Sequence, residues 1–323
     1  NLTLGANEIE HLLKAGRIEE IDFERFTIKK YEGKTSEAIS DKADAMKKGF
    51  TEHLIIFDSP VKKGASAWIM HAPFALFLVS ILKPKSFVEL GVHTGHSYNA
   101  FCQAVKALKT GTCCYGIDTW KGDKHAGFYG EDVYQQLLEY QLKEYSEFSH
   151  LLRMTFDEGL AYFSNQGIDL LHIDGLHTYE AVKHDFEEWL PKMSDKGVIL
   201  LHDTMVRERD FGVWRLWNEI APQYPSFNFT HECGLGIVAV GSNVSKEFLD
   251  FLNEANTDPF YQKLFFSLGM LCSFEAFVEE RDTRIGSLEE AIREKEAVLN
   301  NIYNSHGWKA LLVYYRLRDK IFQ

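Results

Sequence analysis

Two apolar runs, each ending at an aspartate, constrain this chain more than any other feature. One is Leu171-His172-Ile173-Asp174-Gly175-Leu176-His177, and the other is Val198-Ile199-Leu200-Leu201-His202-Asp203-Thr204. A short continuous apolar run bounded by turn residues suits a strand buried on both faces of a parallel sheet. Polar groups at the carboxyl ends of such strands stand where open α/β sheets bind ligands. Asp174, His177, His202 and Asp203 are therefore expected to meet at one sheet edge, as metal ligands, as bases, or both.

The residues around these runs alternate between strand and helix patterns. Strands are expected over Ser86–Leu90, Thr112–Ile117, Leu151–Met154, Ile168–Ile173 and Val198–Leu201. Helices are expected over Ser97–Leu108, Asp132–Phe148, Glu158–Ser164 and Tyr179–Leu190. Pro191–Lys196 reads as a turn and Gly197 as a break. Ala72–Leu82 reads as a buried helix ended by Lys83-Pro84-Lys85. Phe227–Thr230 and Gly236–Val240 complete the pattern as a closing pair of strands. The chain thus predicts an α/β fold with a doubly wound, mostly parallel seven-stranded sheet and helical extensions at both ends.

At 323 residues the chain exceeds what one core usually organises. Its formal net charge of −12 argues against non-specific nucleic-acid binding by the whole chain. The 5 cysteines show no C-x-x-C spacing and are expected to be free thiols in a reducing compartment. No apolar run reaches the roughly 20 residues of a membrane span, and no signal-peptide pattern opens the chain. A cytoplasmic location is expected, with contact at the inner face of the membrane as a further option. With a start at Asn1 instead of Met, an excerpt of a longer protein is one expectation.

Phe87-Val88-Glu89-Leu90-Gly91-Val92-His93-Thr94-Gly95-His96-Ser97 reads as strand, glycine turn and helix start, with Ser97 as the N-cap. Its G-x-x-x-G spacing is neither the G-x-G-x-x-G of nicotinamide enzymes nor a P-loop. Asp118, ending the second strand, suits hydrogen bonds to ribose hydroxyls, and Glu89 suits a cationic amino group. A nucleoside carrying an amino acid fits these groups better than a dinucleotide. The competing reading is an ordinary glycine turn beside a solvated Asp118.

In this order the motifs resemble those of the class I S-adenosylmethionine-dependent methyltransferases. Glu89-x-Gly91-x-x-x-Gly95 resembles their first motif, and Asp118 their ribose-binding acid. Ile117-Asp118-Thr119-Trp120-Lys121-Gly122-Asp123, Ile173-Asp174-Gly175-Leu176-His177-Thr178-Tyr179-Glu180, Asp210-Phe211-Gly212-Val213-Trp214 and Gly234-Leu235-Gly236-Ile237 resemble a narrower group. That group contains metal-dependent macrolide-sugar O-methyltransferases and methyltransferase domains of bacterial polysaccharide gene clusters. The resemblance implies a methyltransferase domain over residues 61–245. Residues 1–60 would precede it as an extension, 246–281 follow as a helical extension, and 282–323 form a coiled-coil-like helix and basic tail.

It further implies S-adenosylmethionine as cofactor, held by Glu89, Gly91, Gly95, Ser97, Asp118 and Trp120, with Asp157 at the adenine. Asp174 and Asp203 would hold a divalent cation, Mg²⁺ or Mn²⁺. His202 is expected as a ligand or just behind the ligands, at a position where the sugar-modifying relatives carry a carboxylate. This departure implies a weakened site, a preference for manganese or zinc, or no metal site at all. His177, beside Asp174, would take the proton from an acceptor hydroxyl. The opposing readings are turn capping for the two aspartates and a helix-leading polar residue for His177. His172 is expected to be a satisfied core or cofactor-edge histidine. His93 and His96 would line the cofactor loop without chemistry, and Lys121–Tyr129 would be a lid.

The implied function is methylation of a sugar or glycan hydroxyl in bacterial surface polysaccharide or glycolipid synthesis. A non-catalytic scaffold of a glycosyltransferase assembly is the alternative, favoured by the departure at His202. A nicotinamide oxidoreductase is disfavoured by the missing G-x-G-x-x-G. Phe248–Val278 reads as mostly helical. Ile285, Leu288, Ile292, Leu299 and Ile302 then follow heptad spacing, with Lys295 in the remaining position. Trp308–Phe322 reads as a basic amphipathic helix. This part of the chain is expected to pack on the domain, to pair with itself or a glycosyltransferase partner, or to touch a membrane.

Overall fold

The computed structural model describes residues 21–22, 27–28, 53–62 and 66–321. The chain divides into two compact units, Asn1–Glu52 and His53–Gln323. In the first, Ile21–Asp22 pairs antiparallel with Thr27–Ile28. The sequence predicts helix-like pieces at Glu8–Leu13 and Ser36–Lys48 within this extension, and both lie outside the described residues.

In the second unit, the uniformly apolar stretch Ala72–Leu82 forms helix α1, buried over nearly its whole surface. Pro73 enters in the first turn, where its missing N–H costs nothing. Lys83, with φ 45°, and then Pro84 end the helix. The strands follow in chain order as β1 (Ser86–Leu90), β2 (Cys113–Asp118), β3 (Ser149–Arg153), β4 (Ile168–Ile173), β5 (Met193–His202), β6 (Ser226–Phe229) and β7 (Leu235–Ala239). They form one seven-stranded sheet in the order β6-β7-β5-β4-β1-β2-β3. The β1–β5 neighbours are parallel, and β7 runs antiparallel to both β5 and β6. Helices α2 (His96–Leu108), α3 (Glu131–Glu144), α4 (Phe156–Gly159), α5 (Tyr179–Trp189) and α6 (Val213–Ile220) connect them.

Strand alternation divides the core. Val88, Leu90, Leu171, Ile173, Ile199 and Leu201 pack with Phe186, Trp189 and Leu216 of α5 and α6. The opposite face carries Phe87, whose ring lies 4.3 Å from that of Phe101 on α2. Register sets Glu89 beside His172, and Ile173 beside Leu201. The strand order reverses on either side of β1, so the β1/β4 crevice is the switch point at which such sheets take ligands.

Three elements depart from the sequence expectation for local reasons. Helix α3 stops at Glu144, because Tyr145 buries its ring and the chain turns there into β3. Helix α4 starts at Phe156, because Thr155 and Glu158 form a capping box. Strand β5 starts at Met193 in place of the expected turn. Ile168 pairs with Met193 and Leu170 with Val198, so the intervening residues of β5 bulge out.

Helix α7 (Lys246–Thr257) leads to α8 (Phe260–Asn304) and α9 (His306–Ile321). Helix α8 packs on the domain through Phe265, Leu268, Cys272 and Ala276, then runs on without a break with exposed side chains. No described helix is long and apolar enough to cross a membrane. All 5 cysteines are free.

Candidate active site

A cavity of about 320 Å³ opens at the switch point, at the lower end of the size range of ligand pockets. Its wall includes Gly91, Val92, His93, Thr94, His96 and Ser97 from the turn after β1, and Asp118 from the end of β2. Thr155 and Phe156 close one side, and Asp174, Gly175, Leu176 and His177 form the end of β4. Gly91 is required here. Its φ is +91°, and a Cβ would stand 2.1 Å from the Asp174 carbonyl oxygen.

Asp118 organises the turn. One of its carboxylate oxygens accepts the amides of Val92 and His93 at 3.0 and 2.9 Å, and the other accepts the Trp120 amide at 2.7 Å. Trp120 is buried and donates its indole N–H to the His93 carbonyl, so it supports the turn from behind. Gly95 is the N-cap of α2 and packs against Leu137, outside the cavity wall. Ser97 is not the cap that its sequence position implies. It lies inside the helix and donates to Glu89 at 2.7 Å.

Glu89 does not line the cavity. It is fully buried, with its second oxygen 3.2 Å from His172 Nδ1, and burial raises its pKa. His172 accepts from the Trp68 indole at 3.2 Å through Nε2 and is a core histidine whose Nδ1 faces Glu89. Asp157 points away to solvent and pairs with His184 at 2.8 Å, leaving Phe156 to form the wall.

The parallel register brings the ends of β4 and β5 together. Asp174 Oδ1 lies 3.3 Å from His202 Nδ1. Asp203 Oδ2 lies 3.4 Å from the same nitrogen. His177 Nε2 bridges the two carboxylates, at 3.3 Å from Asp174 and 2.8 Å from Asp203. Asp203 adopts φ 64° and is held there by its amide bond to the Gly234 carbonyl. Such a left-handed non-glycine residue costs about 1–3 kcal/mol, and these conformations cluster at functional sites.

Burial opposes charge at all four groups, but their mutual attraction outweighs it. His177 is pushed up to about 9, and His202 is also raised. Asp174 and Asp203 are held below the usual carboxylate range. Donor atoms of Asp174, His177 and Asp203 all lie within 4.8 Å of one another, close enough to share one cation. His202 stands behind them, nearly inaccessible, with Nε2 unpartnered. The two carboxylates suit Mg²⁺ or Mn²⁺, and an imidazole added as a ligand would favour Mn²⁺, because nitrogen is a poor ligand for Mg²⁺.

Several contributors were not legible as site residues in the sequence. The Phe211 ring lies parallel to His177, 4.7 Å away at 4°. His125 stacks on Phe211 at 4.5 Å and lies 5.7 Å from the His177 ring, so the three rings form one cluster. Asp210 ties down the Lys121–Tyr129 segment by accepting from Lys124 at 2.5 Å and pairing with His125 at 2.9 Å. Gly122, Asp123, Ala126 and Tyr129 of that segment line the cavity, as a lid would. Ser66 and Trp68 also reach it from before α1. The motif around Phe211 was a signal for the first of these. The Lys121–Tyr129 segment was expected as a lid, and long-range contact alone supplies Ser66 and Trp68.

Residues 88–204 match a family model described as a methyltransferase domain. The uncharacterized protein y4gI of Sinorhizobium fredii is 49% identical over 181 residues, 56% of this chain and 20% of that protein. The chain thus spans about a fifth of the length of that relative. Among solved structures it is similar to PaMTH1, a methyltransferase of Podospora anserina, with 12% identity, 65% of this chain and 99% of that one covered, and a TM-score of 0.41. It is also similar to the O-methyltransferase TomG of Streptomyces achromogenes, with 15% identity, 64% and 91% covered, and a TM-score of 0.40.

Proposed function

We propose that this chain is an S-adenosylmethionine-dependent methyltransferase that methylates a sugar hydroxyl in the synthesis of a bacterial surface glycan; its match to a methyltransferase domain over residues 88–204 and its sheet order support the reading. The observation that carries the reading is the end of the switch-point cavity, where Asp174 and His177 face the space beside the glycine turn. The cofactor supplies an electrophilic methyl group on sulfonium. The chain has to exclude water, orient the acceptor oxygen, and remove its proton.

Asp174 and Asp203 would hold a divalent cation, with His202 behind them, and that cation would acidify an oxygen near it. His177 is the base. Asp174 and Asp203 keep it protonated near neutral pH, and a cation held by the two carboxylates would offset their charge and weaken its hold on that proton. Phe211 and His125 hold the imidazole flat between the lid and the carboxylates. The test is transfer of label from methyl-labelled S-adenosylmethionine to a panel of hexose and deoxyhexose glycosides. Incorporation is expected with Mg²⁺ or Mn²⁺ and should vanish in chelator. Full incorporation in chelator would remove the cation from this account.

Asp118 is proposed to face the ribose with the lone pairs its three amide bonds leave free. Asp118→Ala removes a charged acceptor and loosens the turn. Affinity for S-adenosylhomocysteine should fall by about 1.5–3 kcal/mol, roughly 10–150-fold. Unchanged affinity by calorimetry would sink the assignment.

The distal part of α8 is proposed to pair with a second copy. Ile285, Leu288, Ile292, Leu299 and Ile302 form a seam in which each residue is roughly half exposed. In a parallel, in-register pair Arg284 faces the partner's Glu289, and Lys295 reaches the partner's Glu296. An antiparallel pair would set Glu289 and Glu296 against each other. Ile292→Asp should convert a dimer to a monomer by light scattering and leave cofactor affinity intact. An unchanged mass would refute the pairing.

A further inference from the structure

A second cavity of about 320 Å³ is lined in part by Phe211, the ring that stacks on His177, and nothing in the methyl-transfer chemistry uses it. It is lined by the first residues of α5, Thr178 to Glu180, and by Phe211, Gly212, Trp214 and Arg215 at the start of α6, with Arg207 and Asp210 at its edge. The two helix starts are in direct contact. The Gly212 amide donates to the His177 carbonyl at 2.7 Å, and a Cβ on Gly212 would stand 2.3 Å from the Tyr179 nitrogen. Any larger residue would force the helices apart.

Two guanidinium groups face this cavity, each stacked on an aromatic ring. Arg207 lies 4.8 Å over Trp214, and Arg215 lies 4.2 Å over Tyr179. Stacking occupies the flat faces and leaves the N–H edges to donate. Arg207 uses part of its edge on the Thr204 carbonyl at 2.7 Å. Neither arginine forms an ion pair among the described residues. The lining is formally balanced, two arginines against Asp210 and Glu180. Glu180 is exposed at the rim. Asp210 is drawn off by Lys124 and His125, so the guanidinium edges stand without a carboxylate of their own. The first-turn amides of two helices add further donors, and α6 has no side-chain cap to occupy them.

We infer that this cavity binds an anionic group, a phosphate or a carboxylate, carried by the acceptor one unit away from the hydroxyl that is methylated. Planar, pre-stacked guanidinium edges suit the paired oxygens of either group. The acceptor would then be a charged glycan, anchored in the cavity that Phe211 helps to line and presented to His177, which stacks on the same ring. The link to an acceptor rests on the methyltransferase reading, but the cavity's preference for anions can be measured without it.

The test is calorimetry at low ionic strength with three probes: inorganic phosphate, glucuronate and neutral methyl glucoside. The protein is compared with the Arg207→Gln, Arg215→Gln double variant, and S-adenosylhomocysteine is titrated into the same samples. Phosphate or glucuronate should bind the unaltered protein, and methyl glucoside should not. The tighter of the two anions identifies the group. The double variant should bind that anion at least tenfold more weakly and melt at an unchanged temperature, because both side chains are exposed. If neither anion binds, or if the double variant binds it equally well, the inference is overturned. Anion binding without binding of S-adenosylhomocysteine would overturn the methyltransferase reading and leave the anion cavity standing.

Discussion

His177→Ala should lower methyl transfer by about 10²–10⁴-fold, the usual contribution of a positioned general base. S-adenosylhomocysteine affinity should change little, because the imidazole stands at the end of the cavity and not at the glycine turn. The effect has two parts. The acceptor's proton loses its destination, and Asp174 and Asp203 lose the group that bridges them at 3.3 and 2.8 Å. His177→Gln separates the two, since an amide can still donate to a carboxylate but cannot take up a proton. Both variants should be similarly inactive. Turnover within tenfold of the unaltered protein in either would contradict the role given to His177.

Asp185→Asn should stabilise the protein at neutral and alkaline pH by up to about 4 kcal/mol. Asp185 is buried on α5, and burial pushes its carboxyl up to about 7 from an ordinary 3.8. The nearby Asp157 adds to the shift, and His184 opposes it. A raised folded-state pKa means that the folded chain holds its proton more tightly than the unfolded chain does. The stability this group allows is therefore intact below about pH 4 and is lost as pH rises through about 7. A shift of about three units at about 1.4 kcal/mol each gives the magnitude. The asparagine does not titrate, so the two proteins should melt together near pH 4 and diverge by pH 8. Parallel melting curves across that range would show that Asp185 is compensated where it lies.

The contrast between Asp185 and Asp174 shows what sequence could and could not convey. Both are aspartates beside a histidine-containing segment. Asp174 ends an apolar run, and parallel-sheet geometry alone places such a residue at the ligand edge. Asp185 sits at an unremarkable helical position, and its burial follows from how α5 packs on the sheet. The strands were legible for the same reason as Asp174. Continuous Val, Ile and Leu runs leave little alternative, and Ile168–Ile173 and Ser86–Leu90 were read to the residue.

Boundaries set by single interactions were not legible. The Thr155–Glu158 box moved the start of α4, and the bulge after Met193 moved the start of β5. Within the site, Asp118, Asp174, His177 and Asp203 were readable because each closes or follows a strand. Glu89 and Asp157 were misplaced with respect to the cavity. Along a strand, alternation decides which face a residue takes, and Glu89 falls on the face packed by Trp68 and Phe101. At the start of α4, the helical turn sends Phe156 inward and Asp157 to solvent. The stack of His125, Phe211 and His177 joins three distant segments, and no local pattern encodes it.

The central claim is that the glycine turn after β1 and the carboxylate at the end of β2 hold a nucleoside carrying an amino acid. Calorimetric titration with S-adenosylhomocysteine, and separately with NAD, tests it most directly. Binding of S-adenosylhomocysteine at one site per chain, with no heat from NAD, is the predicted result. Binding of neither would make the fold a scaffold, and binding of NAD alone would contradict the account of the turn.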